Sequence, residues 1–195
     1  MHDVQDSRRN PLEIAHPRRL FLSVAIGILI LDQVSKALVR ASLVPGESVK
    51  LIPGLLNLTF VNNVGAAFGL FPGRQPVFMA TSLLVLFVIA AYWRRVHPRE
   101  WPVVLALGLV CAGAVGNLVD RAMLGRVTDF FEFGFVQFPV FNVADMAILT
   151  GVGILALWIL FWPQPAPEVE SDVVPIIETS DADTSADSET PRVSR

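Results

Sequence analysis

Apolar residues run through this chain in long unbroken stretches, not in the short alternating patterns of a soluble domain. Three stretches carry no charge: Gln75–Trp93 (19 residues), Trp101–Val119 (19) and Met146–Pro167 (22). Each meets or approaches the ~20 residues that take an α-helix across a bilayer. A fourth run, Leu20–Val39, is interrupted by Asp32 and Lys36. It continues into those charges without a small-x-small cleavage site, so it reads as a retained helix and not a removable signal peptide. The expectation is an all-α membrane protein with four transmembrane helices, folded as one domain over residues 20–162. Between the first two helices, the segment 51–71 (LIPGLLNLTFVNNVGAAFGLF) is apolar, β-branched in places and punctuated by Gly and Pro. It predicts a small β-like or interfacial element lying against the outer leaflet.

Composition narrows the picture. The chain is 53% hydrophobic with a mean hydropathy of +0.55, which excludes an ordinary soluble domain. The net charge of −3 hides an asymmetry. Residues 163–195 hold eight acids and two arginines, leaving 13 bases and 10 acids for the rest. That tail is rich in Pro, Asp, Glu, Ser and Thr and predicts disorder. Arginines cluster at positions 8, 9, 18 and 19 and again at 94, 95 and 99. By the positive-inside rule, residues 1–19, the 94–100 link and the tail are therefore cytoplasmic. The single cysteine, Cys111, lies mid-span and reads as packing. With no Cys/His cluster, neither a metal nor another cofactor is expected, and no nucleic-acid partner either.

Four carboxylates lie where the apolar runs end: Asp32, Asp120, Asp129 and Asp145. Two belong to matching Asn-x-x-Asp pairs, Asn117/Asp120 and Asn142/Asp145. With alternating spans and a rise of 1.5 Å per residue, Asp32 stands roughly 20 Å and Asp120 about 30 Å from the cytoplasmic end. Asp145 opens the fourth helix from that same outer side, and Asp129 lies in the loop between. Carboxylates at membrane spans are functional candidates by default. Two of them close together in a low-dielectric site share a proton. One can then act as base on a water while the other protonates a carbonyl, which is aspartic hydrolysis without a metal.

Each residue also has a purely structural reading. Asp32 and Lys36 are spaced i,i+4 as a helix ion pair. Asn142 with Asp145 resembles an N-cap followed by an acid at N3. Asn117, Asp120 and Arg121 would polarise the end of the third helix, and Gly113 and Gly116 would serve close helix packing. A Ser35/Lys36 nucleophile pair is disfavoured, because adjacent helical residues do not face each other. Spacing alone does not choose between Asp120 and Asp129 as the partner of Asp145.

The motifs LDQVSK (31–36), NVGAAF (63–68), GNLVDR (116–121), GRVTDF (125–130) and FNVADMAI (141–148) occur together in this order. Over residues 20–162 the chain resembles lipoprotein signal peptidase (signal peptidase II), a bacterial four-helix aspartic endopeptidase. The resemblance implies that Asp129 and Asp145 are the catalytic pair. It places Asn63, Gly65, Asn117, Asp120, Arg121 and Asn142 around the site, with Asp32 and Lys36 in support. It implies a diacylglyceryl-modified prolipoprotein as substrate, cut just before the lipidated cysteine. It also implies a monomer in contact with membrane lipid, and an inhibitor of the globomycin type in the same groove. The cellular place implied is the bacterial cytoplasmic membrane, with the site near the outer surface. Two other classes compete. A proton-coupled transporter would need polar residues continuing through the membrane, and spans two and four have almost none below the outer face. An assembly factor using Asp and Asn only as helix glue would tolerate Asp→Asn changes.

Overall fold

The computed structural model describes residues 16–65, 75–96 and 100–161. Arg99, residues 66–71 of the expected external element, the N-terminal segment through residue 15 and the acidic tail lie outside the described residues.

Four helices carry the chain: α1 (Pro17–Ser42), α2 (Gln75–Trp93), α3 (Trp101–Leu124) and α4 (Val143–Phe161). Each is long and apolar enough to cross a membrane. Proline in the first turn opens α1 and α3, where its missing N–H is harmless. α3 stops at Gly125, whose φ of 66° is the left-handed cap that favours glycine; its N–H donates to Arg121 O at 3.0 Å.

The external element is a sheet, and it is larger than expected. β1 (Ser48–Ile52) and β2 (Leu56–Asn63) form a hairpin, and β3 (Val127–Phe133) joins β2 from the connection between α3 and α4. All pairs are antiparallel in the order β1-β2-β3. Asp129 is thus a strand residue, not a loop residue. The reason is local: Val-Thr-Asp-Phe-Phe is a β-branched and aromatic run with strand preference.

α3 is the central helix. It buries one stripe after another of small and β-branched residues, among them Val104, Ala106, Ala112 and Ala114. Glycines let α1 and α4 approach its backbone. A Cβ added at Gly113 would collide with the Ala144 carbonyl oxygen, and one at Gly151 of α4 would stand 2.7 Å from Ala106 O. Such close seams hold membrane helices together where lipid is as apolar as the side chains.

α1 is built inside out. Its buried residues are Asp32, Lys36 and Val39, while Leu22, Ile26, Ile30, Val34 and Leu38 lie exposed on an i,i+4 stripe. In a bilayer that polar-in, apolar-out arrangement is the low-energy one, since lipid solvates the outer face. Above the bundle, Val39, Phe60 and Phe130 form a small core that fixes β2 and β3 to α1.

Two glycines of α4 test this seam. Gly151 meets α3, whereas a Cβ at Gly153 meets nothing within 4 Å. Gly151→Ala is expected to lower stability by about 1–3 kcal/mol through overpacking. Gly153→Ala is expected to be neutral or to stabilise by about 0.5–1 kcal/mol through helix propensity. Thermal unfolding in detergent distinguishes them, and equal shifts for both would contradict the seam.

Candidate functional site

The site grows out of three periodicities. On β3 the alternation of a strand points Val127 and Asp129 to one face and Thr128 and Phe130 to the other. Val127 and Asp129 line a cavity, while Phe130 packs on Val39 and Phe60. On α4, Asp145, Ile148, Leu149 and Val152 share one helical face toward the same cavity. On α3, Asn117 and Arg121 line it one turn apart. The cavity measures about 400 Å³. A neighbouring apolar groove of about 560 Å³ lies under Phe131, Phe133, Phe138 and Phe141 and also reaches Asp145.

Asp129 and Asp145 face this space, and neutral amides hold both. Asn63 Nδ2 donates to Asp129 Oδ2 at 2.8 Å, and Asn142 Nδ2 donates to Asp129 Oδ1 at 2.6 Å. Asn117 Nδ2 donates to Asp145 Oδ1 at 2.8 Å. Asn142 and Asp145 also exchange a reciprocal cap: the Asp145 N–H donates to Asn142 Oδ1 (3.0 Å), and the Asn142 N–H donates to Asp145 Oδ2 (3.2 Å). The N-cap reading and the site reading therefore describe the same atoms. Asp129 is 2% exposed. Burial, and next the charge of Asp145, push its carboxyl up to about 6, against the opposing hydrogen bonds from Asn63 and Asn142.

Behind this front lies an ionic layer. Lys36 is fully buried, with Nζ 2.9 Å from Asp32 Oδ2, 3.4 Å from Asp120 Oδ2, and donating to Asn117 Oδ1 at 3.0 Å. Asp32 Oδ1 accepts the Ala144 N–H at 2.9 Å and so clamps the start of α4. Asp120 Oδ2 accepts the Thr128 N–H at 2.9 Å and so positions β3. Asp120 faces Lys36 and Arg40 and is absent from the cavity lining, which separates it from Asp129, an ambiguity that spacing left open. Asn63 Oδ1 accepts the Gly65 N–H at 2.9 Å. Arg121 donates through Nη1 to Asn117 O (3.4 Å) and stacks over the Phe78 ring at 5.3 Å.

All ten residues singled out from the sequence thus fall in one connected region. The sequence reading missed four others. Arg40 donates to Thr128 Oγ1 at 2.9 Å and approaches Asp120 Oδ1 at 3.6 Å. Gln33 Nε2 donates to Asp32 Oδ2 and to Gly116 O. Phe138 and Phe141 wall the cavity. Arg40 had a usable signal: 32, 36 and 40 continue one i,i+4 stripe. Gln33 and Phe141 lie inside the motifs LDQVSK and FNVADMAI but had no spacing signal of their own, and Phe138 had none. Among the described residues no group of acids, histidines and cysteines could hold a metal ion.

Known proteins share this pattern. The family profile described as "Signal peptidase (SPase) II" matches residues 24–161. The lipoprotein signal peptidase of Syntrophomonas wolfei is 49% identical over 132 residues, covering 67% of this chain and 85% of that protein. That of Desulfitobacterium hafniense is 42% identical over 142 residues, covering 72% of this chain and 93% of its own. A bacterial membrane enzyme of known structure superposes with a TM-score of 0.70 at 30% identity, over 73% of this chain and 88% of that one. A second gives 0.69 at 29% identity, over 75% and 96%. From the match over most of its length, the chain belongs to the signal peptidase II family, and is a membrane-embedded protease.

Proposed function

We propose that Asp129 and Asp145 form an aspartic dyad that hydrolyses the peptide bond just before a diacylglyceryl-modified cysteine. The observation that carries this reading is the pairing itself. Two carboxyls from different elements face one cavity, coupled by charge, and their hydrogen-bond donors among the described residues are neutral amides. The substrate is a prolipoprotein, and the reaction removes its signal peptide.

In this scheme the pair holds one proton. The ionised carboxylate takes a proton from water, and the resulting hydroxide adds to the scissile carbonyl carbon. The protonated carboxyl gives its proton to the carbonyl oxygen, forming a neutral gem-diol. Collapse breaks the C–N bond, returns a proton to the departing cysteine nitrogen and leaves the pair singly protonated again. The asparagines orient both carboxyls without supplying a charge that would force both to ionise. Lys36 acts one step back: by binding Asn117 Oδ1 it turns that side chain's NH₂ toward Asp145.

The apolar groove beside the dyad suits a lipid-anchored substrate and a globomycin-type inhibitor. Arginines at 18, 19, 94, 95 and 99 argue for cytoplasmic termini and a dyad near the outer surface of the cytoplasmic membrane. On this reading residues 20–162 are the peptidase unit, and it works as a monomer. A transporter is disfavoured because α2 and α4 carry almost no polar residues below the site, and the Thr81 and Ser82 hydroxyls of α2 donate to carbonyls of their own helix.

Three outcomes follow. Asp129→Asn and Asp145→Asn keep shape but lose an ionisable proton. Each is expected to cut a diacylglyceryl-prolipoprotein at least about 10³-fold more slowly while eluting as folded protein. A near wild-type rate in either variant removes that residue from the dyad.

With Asp129 raised to about 6, loss of the shared proton sets the alkaline side of the profile. kcat/KM, which reports the free enzyme, is expected to fall as pH rises above about 6, approaching about tenfold per unit. A flat profile between about pH 6 and about pH 8 contradicts the shared proton. The raised Asp129 carboxyl also favours the folded state below its usual value of 3.8, and that contribution is lost as pH rises through about 6.

Truncation after Gln164 is expected to leave the cleavage rate within about twofold of full length, since this reading puts the tail across the membrane from the dyad. A large loss in well-folded truncated protein would overturn that topology.

A further inference from the structure

The end of the bundle opposite the carboxylates holds another cavity, which the proposed chemistry does not use. It measures about 400 Å³ and is walled by Arg18 and Phe21 of α1, Leu86, Ile89 and Trp93 of α2, and Cys111 of α3. Arg18 is the second residue of α1, and Trp93 is the last of α2. Leu86 stands seven residues before Trp93, and Cys111 ten after Trp101, the first of α3. At the helical rise the cleft therefore reaches about 10–15 Å inward. That is close to one hydrocarbon leaflet, about 15 Å.

The helices leave this space for a reason visible in their packing. α2 rests on α3 and buries only Ile89. α1 meets α2 through the tilted Phe21–Trp93 ring pair, centroids 4.8 Å apart. The walls are apolar apart from the guanidinium at the mouth. Arg18 makes no ion pair among the described residues. Arg19, Arg94 and Arg95 stand exposed at the same end of the bundle.

We propose that this cleft is a binding site for an anionic phospholipid, with one acyl chain between α1 and α2 and the phosphate on Arg18. A guanidinium matches phosphate with paired donors, and basic pockets between helices at the cytoplasmic face select anionic headgroups. The chain would fill the gap that protein side chains leave open and brace α2 against α1. Headgroup charge separates this site from ordinary annular lipid, because contact between an exposed helix face and acyl chains does not depend on it, whereas this cleft carries Arg18 at its mouth.

Cys111 supplies the reporter. It is the chain's single cysteine, half-buried, and lines the cleft. The full-length protein in dodecyl maltoside is labelled with N-ethylmaleimide in the presence of phosphatidylglycerol, phosphatidylcholine of the same chains, or inorganic phosphate. At about ten times its Kd, phosphatidylglycerol is expected to slow labelling about tenfold. Phosphatidylcholine is expected to protect less, and phosphate not at all. Arg18→Gln is expected to erase the difference between the two lipids and Arg18→Lys to retain part of it, both with normal signal-peptide cleavage. Equal protection by the two lipids would reduce the site to ordinary lipid contact, and protection by phosphate alone to a surface anion site. Undiminished phosphatidylglycerol protection in Arg18→Gln would remove Arg18. Each of these three results overturns the proposal.

Discussion

Everything at the carboxylate end of the bundle hangs on one buried ammonium. Lys36 is sealed from solvent between Asp32 and Asp120 and also donates to Asn117. An isolated charge there would cost several kcal/mol, and removing one member of such a buried pair costs about 3–5 kcal/mol. The arrangement is tolerable because it is nearly neutral. Two carboxylates face Lys36 and the partly exposed Arg40. Each carboxylate also accepts a backbone N–H of another element: Ala144 at the start of α4, and Thr128 on β3. The ion cluster therefore ties α1, α3, α4 and the sheet at one point. It sets where Asp145 and Asp129 begin, since each is the residue after a clamped N–H.

Between that cluster and the cavity stands a layer of amides, and the division of labour follows from charge. A lysine beside the two front carboxyls would favour ionising both. An asparagine gives a hydrogen bond and no net charge. Asn117 faces both ways, taking Lys36 on its oxygen and giving its NH₂ to Asp145. Asn142 does the same between Asp145 and Asp129. The orientation of Asn117 is thus set from behind by the ammonium and that of Asn142 by the Asp145 main-chain N–H, and the front carboxyls keep the low-dielectric, weakly compensated surroundings that hold Asp129 up near 6.

Much of this was legible in the sequence, because the membrane makes polar residues conspicuous. In spans of apolar residues Asp32, Lys36, Asn117 and Asp120 need partners, and their spacing from the helix starts placed them at one level. What was not legible is pairing between segments distant in sequence. Nothing in Val127–Phe133 announces that it adds to β2, since strand partners are chosen by register and twist across 66 residues of chain, as between Asn63 and Asp129. Asp120 and Asp129 likewise look equivalent in spacing. They differ only because a helix turns Asp120 inward to Lys36, while a strand's alternation turns Asp129 outward to the cavity. Phe138 and Phe141 read as loop aromatics until the fold stacks them beside β3 (Phe133–Phe141 centroids 5.1 Å).

The two front carboxyls are not in equivalent surroundings. Asp145 sits in the first turn of α4, where unpaired N–H groups and the helix dipole favour negative charge. One of its bonds is the main-chain N–H of its own cap. Asp129 lies on a strand, and its donors among the described residues are the two side-chain amides of Asn63 and Asn142. In the proposed dyad the two partners are therefore held differently, Asp145 by a helix start and Asp129 by side-chain amides. The capping box that starts α4 and one half of the proposed dyad are the same atoms, so a change that weakens the helix start also moves Asp145.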